Sequence, residues 1–300
     1  SVPLGLVLAT ATLTVLHDAG HRRFSRREWP NVLAVQTAIP AGLWVAHWTL
    51  KHRVHHRDTQ LYPTDEATRS SGLIRLHPGA ERRPVHRFQH YYAWLLYGIA
   101  WMGEIRSQLT YLRTGEIAGT ETPPALKRTQ SFVTEKAVCL LVLLPYALVM
   151  GVGPLALLLI AAMTVASVTA AVVLVVGHIN TGLSPALDAP EGRDEWVTHL
   201  VRTSASFGTE NRLMRWATGG MTHHLVHHLR ASAPRSEFPL LHTTIVADAV
   251  ATSGSPLVEY PGLPSAVRGH ARALRDLGHA DQVVAGALAT AQPERVLTHT

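Results

Sequence analysis

The sequence predicts an all-α fold: an integral membrane helical bundle of three to four transmembrane helices, with interfacial helices and a cytoplasmic helical cap that carries histidine clusters. Three observations lead to this prediction. Only 16% of the 300 residues are charged and 47% are hydrophobic, whereas roughly a quarter of the residues of a soluble domain are charged. Long apolar runs are almost free of charge, and three histidine clusters have helical spacing. We expect residues 1–300 to form one domain.

Three apolar runs are the predicted membrane spans, near residues 2–16, 137–152 and 155–176. A helix needs about 20 predominantly apolar residues to cross a bilayer, and the third run reaches this length without a charge. The first run is shorter and the chain opens with Ser1 rather than Met, so we expect the N-terminus to be truncated within a span. Gly151 and Pro154 predict a hairpin turn between the other two spans.

Basic residues predict the orientation of these spans, because Lys and Arg are concentrated on the cytoplasmic side of membranes. The turn at 151–154 has no basic residue, so it is predicted to be external, and residues 178–300 are predicted to be cytoplasmic. The net charge of +6 is therefore attributed to membrane flanks and not to a nucleic-acid partner. The flanking basic residues are Arg22, Arg23, Arg26, Arg27, Lys127, Arg128, Lys136, Arg193 and Arg202.

Two further apolar segments are predicted to be re-entrant or interfacial. Residues 31–50 are long enough to cross the membrane, but one crossing would separate the second histidine cluster, at 52–56, from the others. Pro40 and Gly42 in the middle favour a bent helix pair or a segment in the interface. Residues 91–102 contain several Tyr and Trp residues, which favour the headgroup region of a bilayer.

The histidine clusters carry the predicted chemistry. The first cluster, at 17–21, has histidines at i and i+4, and the second and third, at 52–56 and 224–228, have them at i, i+3 and i+4. Each cluster therefore lies on one face of a helix. Together with His178, at the cytoplasmic end of the last span, they provide nine imidazoles, which suit two metal ions with four or five ligands each. Imidazole binds Zn, Cu, Fe and Ni. The nine predicted ligands are His17, His21, His52, His55, His56, His178, His224, His227 and His228.

Other residues are not expected to bind the metals. One cysteine, Cys139, excludes an internal disulfide and paired-thiolate sites. His86 and His90 are also spaced i and i+4, and we expect them to support the ligands or to lie at the surface. A lone histidine near a membrane interface is more often a polar residue of the headgroup layer than a ligand, and we expect this of His47, His77, His199 and His242.

These residues resemble the membrane fatty acid desaturase family, which has three histidine boxes of the types HxxxH, HxxHH and H/QxxHH. The resemblance covers nearly the whole chain. It rests on His17-Asp-Ala-Gly-His21 followed by Phe24-Ser25, on Trp48-Thr-Leu-Lys-His52-Arg-Val-His55-His56, on Arg83-Pro-Val-His86 with the aromatic stretch to Trp94, on Asn211 to Gly220 leading into His224-Leu-Val-His227-His228, and on His178 as the extra ligand before the third box.

The resemblance implies a non-haem centre of two Fe ions at the cytoplasmic face of a four-span bundle, with no catalytic side chain beyond the metal ligands. It implies O2 as co-substrate, and an acyl substrate linked to a lipid, to CoA or to a carrier protein and surrounded by membrane lipids. The third box is not of the Gln type found in cytochrome b5-fused enzymes. A separate electron donor, such as ferredoxin or cytochrome b5, is therefore implied.

Two alternatives to desaturation remain open from the sequence. A hydroxylase or acetylenase could use the same scaffold, because the spacing of the histidines does not fix the fate of the substrate. A non-catalytic membrane metal-binding protein is the rival from another class. A metal carrier is expected to place ionisable residues within its spans, and the run at 155–176 has none.

Overall fold

The computed structural model describes residues 1–69, 72–118, 120–184 and 189–280. Within this part of the chain the fold is helical, apart from one parallel pair of two-residue strands, which confirms the predicted all-α class. The first helix contains a π-helical turn at Thr12–Leu16. The helices are Val2–Gly20, Glu28–Gln36, Val45–Arg57, Gln89–Gly98, Ala100–Thr114, Ala125–Met150, Val152–Val175, Arg193–Thr203, Arg212–Ala217, His224–Leu229, Phe238–Ser253 and Leu263–His279, and the strands are Ser206–Phe207 and Glu259–Tyr260.

The described chain forms two compact units. The first consists of Ser1–Val54 and Leu95–Ala171, and the second of His55–Trp94 and the described residues from Val172 onward. The boundary falls within the helix Val45–Arg57, which therefore contributes residues to both.

The first unit contains the helices that are long and apolar enough to cross a membrane, apart from the last turn of the third. They are Val2–Gly20, Ala125–Met150 and Val152–Val175, in agreement with the three predicted spans. The side chain of Val149 is 87% exposed in the protein alone, as expected where lipid covers an apolar surface. A Cβ at Gly5 would lie 2.5 Å from the Cβ of Val165, so glycine permits the close approach of the first and third of these helices.

The span boundaries differ from the prediction in two places. The second helix begins at Ala125 rather than near residue 137, because polar residues before the apolar run continue the same helix. The predicted turn over residues 151–154 is wrong in extent. Only Gly151 separates the two helices, with φ of +83°, and Pro154 lies in the first turn of the next helix, where proline needs no N–H partner.

The segment at 31–50 is bent, as Pro40 and Gly42 predict. The helix Glu28–Gln36 ends before a 3₁₀ turn at Ile39–Ala41, and Gly42 follows with φ of +81°. Trp44 is fully buried near Tyr111 and donates its indole N–H to Ser131 Oγ at 3.0 Å. These contacts fix the start of the next helix within the first unit. The aromatic segment at 91–102 forms parts of two helices, Gln89–Gly98 and Ala100–Thr114.

The second unit is organised around an apolar core. Leu200, Leu225 and Phe238 are at most 1% exposed and belong to one cluster. They come from three different helices. One of these, Phe238–Ser253, was not predicted from the sequence. This core holds the short helix His224–Leu229, and with it the third histidine cluster.

Candidate metal centre

The first histidine group lies in the first compact unit and consists of His17, His21 and His52. The ring centroids are 4.7, 4.9 and 5.0 Å apart, and one ring nitrogen of each lies within 4.8 Å of the others. The Nε2 atoms of His21 and His52 are 2.7 Å apart. The structure thus brings together the whole first cluster and one histidine of the second.

Local structure explains how these three rings meet. The π-helical turn Thr12–Leu16 ends immediately before His17, and such turns are frequent at functional sites. Gly20 has no side chain where Trp48 approaches: a Cβ there would lie 2.7 Å from the indole ring. The same indole stacks on His52, with ring centroids 4.8 Å apart and an interplanar angle of 12°. The glycine and the tryptophan therefore fix the orientation of the His52 ring.

Arg23 contacts the first histidine group from its own unit. Its guanidinium donates to Asp18 Oδ1 at 2.8 Å, and Nη2 lies 3.0 Å from Nδ1 of His17. Because arginine only donates hydrogen bonds, His17 Nδ1 is the acceptor and the neutral ring carries its proton on Nε2. Metal binding through His17 Nε2 would require the ring to move that proton to Nδ1, and the hydrogen bond from Arg23 would then be lost.

The second histidine group lies in the second compact unit. One ring nitrogen from each of His55, His178 and His228 lies within 4.8 Å of the others. The Nε2 atoms of His224 and His178 are 2.8 Å apart. His56 stacks near His228, with centroids 4.6 Å apart. The full group is His55, His56, His178, His224, His227 and His228.

Three segments of the second unit supply these rings. His55 and His56 are in the last turn of the helix Val45–Arg57, and His178 follows the helix Val152–Val175. Gly177 allows the close approach, because a Cβ there would lie 2.5 Å from Cδ2 of His224. The placement of His178 next to the third cluster agrees with its inclusion among the candidate residues, and its role as a ligand remains a prediction.

Asp65 orients His55. The Nδ1 atom of His55 lies 2.9 Å from Asp65 Oδ2, which also accepts the backbone N–H of Gln60 at 2.8 Å. The other carboxylate oxygen accepts the backbone N–H of Ala67 at 2.9 Å. A histidine that donates Nδ1–H to a carboxylate presents the lone pair of Nε2, which is the usual arrangement around metal-binding histidines.

Two more partners hold rings of the second group in the same way. His178 Nδ1 lies 3.0 Å from the carbonyl oxygen of Thr203. His228 Nδ1 lies 3.2 Å from the hydroxyl oxygen of Thr59, which donates its own proton to the carbonyl of His55. In both rings Nδ1 is thus the donor and Nε2 carries the lone pair; in His178 this atom faces Nε2 of His224.

Burial keeps several of these imidazoles neutral. Desolvation lowers the pKa of His178 to about 3 and lowers the pKa of His224 and His228 well below the usual value. Asp65 stays ionised: burial acts to raise its pKa, but His55 and backbone N–H groups lower it overall. Neutral imidazoles are the form that binds metal ions.

The chemistry of both groups fits a metal ion. Among the described residues their donor atoms are imidazole nitrogens alone. His224 Nδ1 is buried without a hydrogen-bond partner among the described residues. Pairs of ring nitrogens face each other at 2.7 and 2.8 Å, a convergence that a cation would satisfy. Imidazole donors suit Fe, Zn, Cu and Ni.

The isolated histidines lie outside both groups and have other partners. His199 Nε2 lies 2.6 Å from the carbonyl oxygen of Thr59, and His242 Nε2 lies 3.1 Å from Glu259 Oε2. His86 is fully buried and bonded to the carbonyl of Gly72, so the alternative that it lies at the surface is wrong. The four isolated histidines are His47, His77, His199 and His242.

Sequence reasoning did not find the groups that orient the rings. Asp65 and Thr59 follow the second cluster, but they lie in irregular structure where no periodicity marks them. Thr203 acts through its backbone carbonyl, for which a sequence has no signal. An acidic residue shortly after a histidine cluster is the one feature that could have suggested Asp65.

The helices and the histidines together define a class: a membrane-associated helical protein with two groups of convergent imidazoles. A family model described as fatty acid desaturase matches residues 1–261. The chain therefore belongs to the fatty acid desaturase family.

Curated relatives are more distant in sequence. A protein named sn-1 linoleoyl-lipid 6-desaturase from Arthrospira platensis is 28% identical over 237 residues, which cover 76% of this chain and 64% of the relative. The protein of the same name from Synechocystis sp. is 26% identical over 285 residues, covering 92% and 79%. An acyl-lipid (7-3)-desaturase from Chlamydomonas reinhardtii is 26% identical over 299 residues, covering 93% and 56%. The chain thus spans less than two thirds of the first and third relatives. No solved structure matches the chain.

Proposed function

We propose that this chain is an oxygen-dependent diiron desaturase that introduces a double bond into an acyl chain. The observation that carries the proposal is the presence, in a member of the desaturase family, of two groups of imidazoles whose nitrogens converge. The reaction balances as R–CH2–CH2–R′ + O2 + 2 e⁻ + 2 H⁺ → R–CH=CH–R′ + 2 H2O. Two bound irons would supply oxygen activation and cleavage of the C–H bonds.

In this proposal the side chains of the protein position the irons. The first histidine group would bind one iron and the second group the other. His52, of the first group, and His56, of the second, are i and i+4 on one continuous helix, so they lie on the same face of it. For the same reason we propose that residues 1–300 work as a single domain.

The hydrogen-bond partners of the histidine rings orient the rings for metal binding. Asp65 and the Thr203 carbonyl hold the Nδ1–H groups of His55 and His178. This fixes the tautomer and leaves Nε2 available before a metal arrives, and such partners also raise the basicity of a ligand. His178 and His228 are both buried, so the surrounding protein holds these rings in place.

We propose an acyl group esterified in a membrane lipid as the substrate. The three relatives described above are all named as lipid desaturases, although the positions in their names differ. We therefore commit to the lipid carrier, and linoleoyl groups are the first acyl chains to test. CoA-linked and carrier-protein-linked chains are the alternatives.

The membrane placement follows from the charge pattern. Arg22, Arg26 and Arg27 are exposed just after the first membrane-spanning helix, which favours a cytoplasmic position for this end. We propose that the metal centre lies at this face, where a separate electron donor such as ferredoxin or cytochrome b5 delivers electrons.

The test uses purified protein loaded with iron, a ferredoxin reducing system, O2 and vesicles of dilinoleoyl phosphatidylcholine. Gas chromatography with mass spectrometry of the fatty acid methyl esters is expected to detect an added double bond, and linoleoyl-CoA serves as the comparison substrate. A hydroxylated chain would identify a hydroxylase instead. Unchanged lipid with exchangeable zinc or copper in place of tightly bound iron would favour a metal-binding protein.

A further inference from the structure

We propose that a cavity beside His178 is the route by which water and protons pass between solvent and the metal centre. The inference rests on the proposed desaturase function, because each double bond consumes two protons and releases two waters. A buried centre that performs this reaction needs a polar path.

The cavity lies wholly within the second compact unit and has a volume of about 70 Å³. One water needs roughly 10–15 Å³ of such space, so several would fit. His178, 8% exposed, lines one part of the cavity, and Asp276, which is exposed to solvent, lines another. The cavity therefore extends from a candidate metal ligand to the protein surface.

Gln60 points to what the cavity holds. Its side chain is only 3% exposed and lines the cavity, and its Nε2 atom has no hydrogen-bond partner among the described residues. Asn180, which also lines the cavity, has its amide donors engaged by the carbonyls of Val176 and Ala266. The amide N–H group of Gln60 is thus a buried donor that needs an acceptor in the cavity, because leaving such a donor unsatisfied lowers the stability of the folded protein.

The position of Gln60 is specified by the structure around it. The residue has φ of +57°, a left-handed conformation that is uncommon for residues other than glycine, asparagine and aspartate. Its backbone N–H donates to Asp65, the carboxylate that orients His55. The same carboxylate therefore holds both a candidate ligand and the amide that faces the cavity.

Water is the occupant that fits these features. An acyl chain has no acceptor for the amide, whereas a water oxygen accepts from Gln60 and passes its own protons to a neighbouring water. Leu277 and Ile179 supply apolar walls, which confine the waters to the polar side.

The first test is X-ray radiolytic labelling of the wild-type protein in detergent, read by mass spectrometry. Hydroxyl radicals form from bound water and label the side chains beside it, and this readout requires neither bound iron nor activity. Leu277 lines the cavity, and Leu61 is a matched control with the same exposure of 6% that does not line it. We expect faster labelling of Leu277. Equal labelling of both residues would overturn the proposal.

The second test compares Gln60→Leu with Gln60→Asn. Leucine has a similar size without the amide and does not scavenge hydroxyl radicals as a thioether would, while asparagine keeps an amide and tolerates the left-handed conformation. In Gln60→Leu we expect labelling of Leu277 to fall about fivefold, which corresponds to the loss of one hydrogen bond of about 1 kcal/mol. We also expect less alkene per O2 consumed and more hydrogen peroxide. Gln60→Asn should keep most of both signals.

The outcomes separate this inference from the proposed function. Wild-type coupling in Gln60→Leu, with alkene formed as usual, would overturn the water route and leave the desaturase function standing. Absence of any alkene from the wild-type protein would overturn the function instead. If Gln60→Leu does not fold, the comparison of Leu277 with Leu61 in the wild type decides the question.

Discussion

Replacement of Asp65 by asparagine should weaken iron binding without removing a ligand. The two carboxylate oxygens accept three hydrogen bonds, from His55 Nδ1, the N–H of Gln60 and the N–H of Ala67. Asparagine has a single acceptor oxygen, so in either orientation its NH2 group faces at least one N–H donor. A buried donor left unsatisfied costs about 1–3 kcal/mol. Loss of such an orienting partner typically reduces metal affinity about 10- to 100-fold.

The assay is anaerobic competition for Fe(II) between the protein and a chelator of known affinity, with thermal unfolding measured in parallel. Asp58→Asn is the matched control in the same segment. Its carboxylate pairs with the partly exposed Arg57 at 2.7 Å, and such pairs contribute about 0–1 kcal/mol. An Asp65→Asn variant that binds iron as tightly as Asp58→Asn would refute the role assigned to this carboxylate.

Three further predictions concern single residues. His56→Ala and His228→Ala should each abolish desaturation while the protein stays in the membrane fraction, and full activity in either variant would remove that histidine from the ligand set. Gly177→Ala should lower both the iron content and Tm, because the new Cβ would lie 2.5 Å from the ring of His224. We expect a loss of stability of about 1–3 kcal/mol, and unchanged iron content and Tm would contradict this prediction. Burial lowers the pKa of His270 to about 4, whereas the unfolded chain has the ordinary value of about 6.5. Between these two values the unfolded chain binds more protons than the folded protein. The free energy of unfolding should therefore fall by about 2 kcal/mol from pH 7 to pH 5 on account of this residue. The His270→Gln variant should show a correspondingly shallower dependence of Tm on pH, and an unchanged slope would contradict the assignment.

The apolar pattern was sufficient to locate the membrane-spanning helices and insufficient to locate their ends. The apolar run begins only after Lys136, yet the helix already begins at Ala125. Backbone hydrogen bonding does not depend on side-chain polarity, so the helix can include the polar residues before the apolar run. The helix Phe238–Ser253 could not be predicted from its local sequence at all. Its apolar and polar residues do not separate onto two faces in the sequence, and its position is set by packing against Leu200 and Leu225.

The candidate site divides in the same way. Helical spacing placed the histidines of each cluster on common faces, and the structure brings members of different clusters together. The orienting partners come from irregular segments and backbone groups, such as Asp65 and the carbonyl of Thr203. Their positions depend on tertiary packing, which no local pattern in the sequence specifies.

The most direct measurement is the metal content per chain, determined by mass spectrometry on protein purified gently in detergent from iron-replete cells. The two histidine groups predict two iron ions per chain, with both lost when His52 and His228 are replaced by alanine together. A folded wild-type protein that binds no metal, or that binds the same amount after these replacements, would contradict the proposed diiron centre.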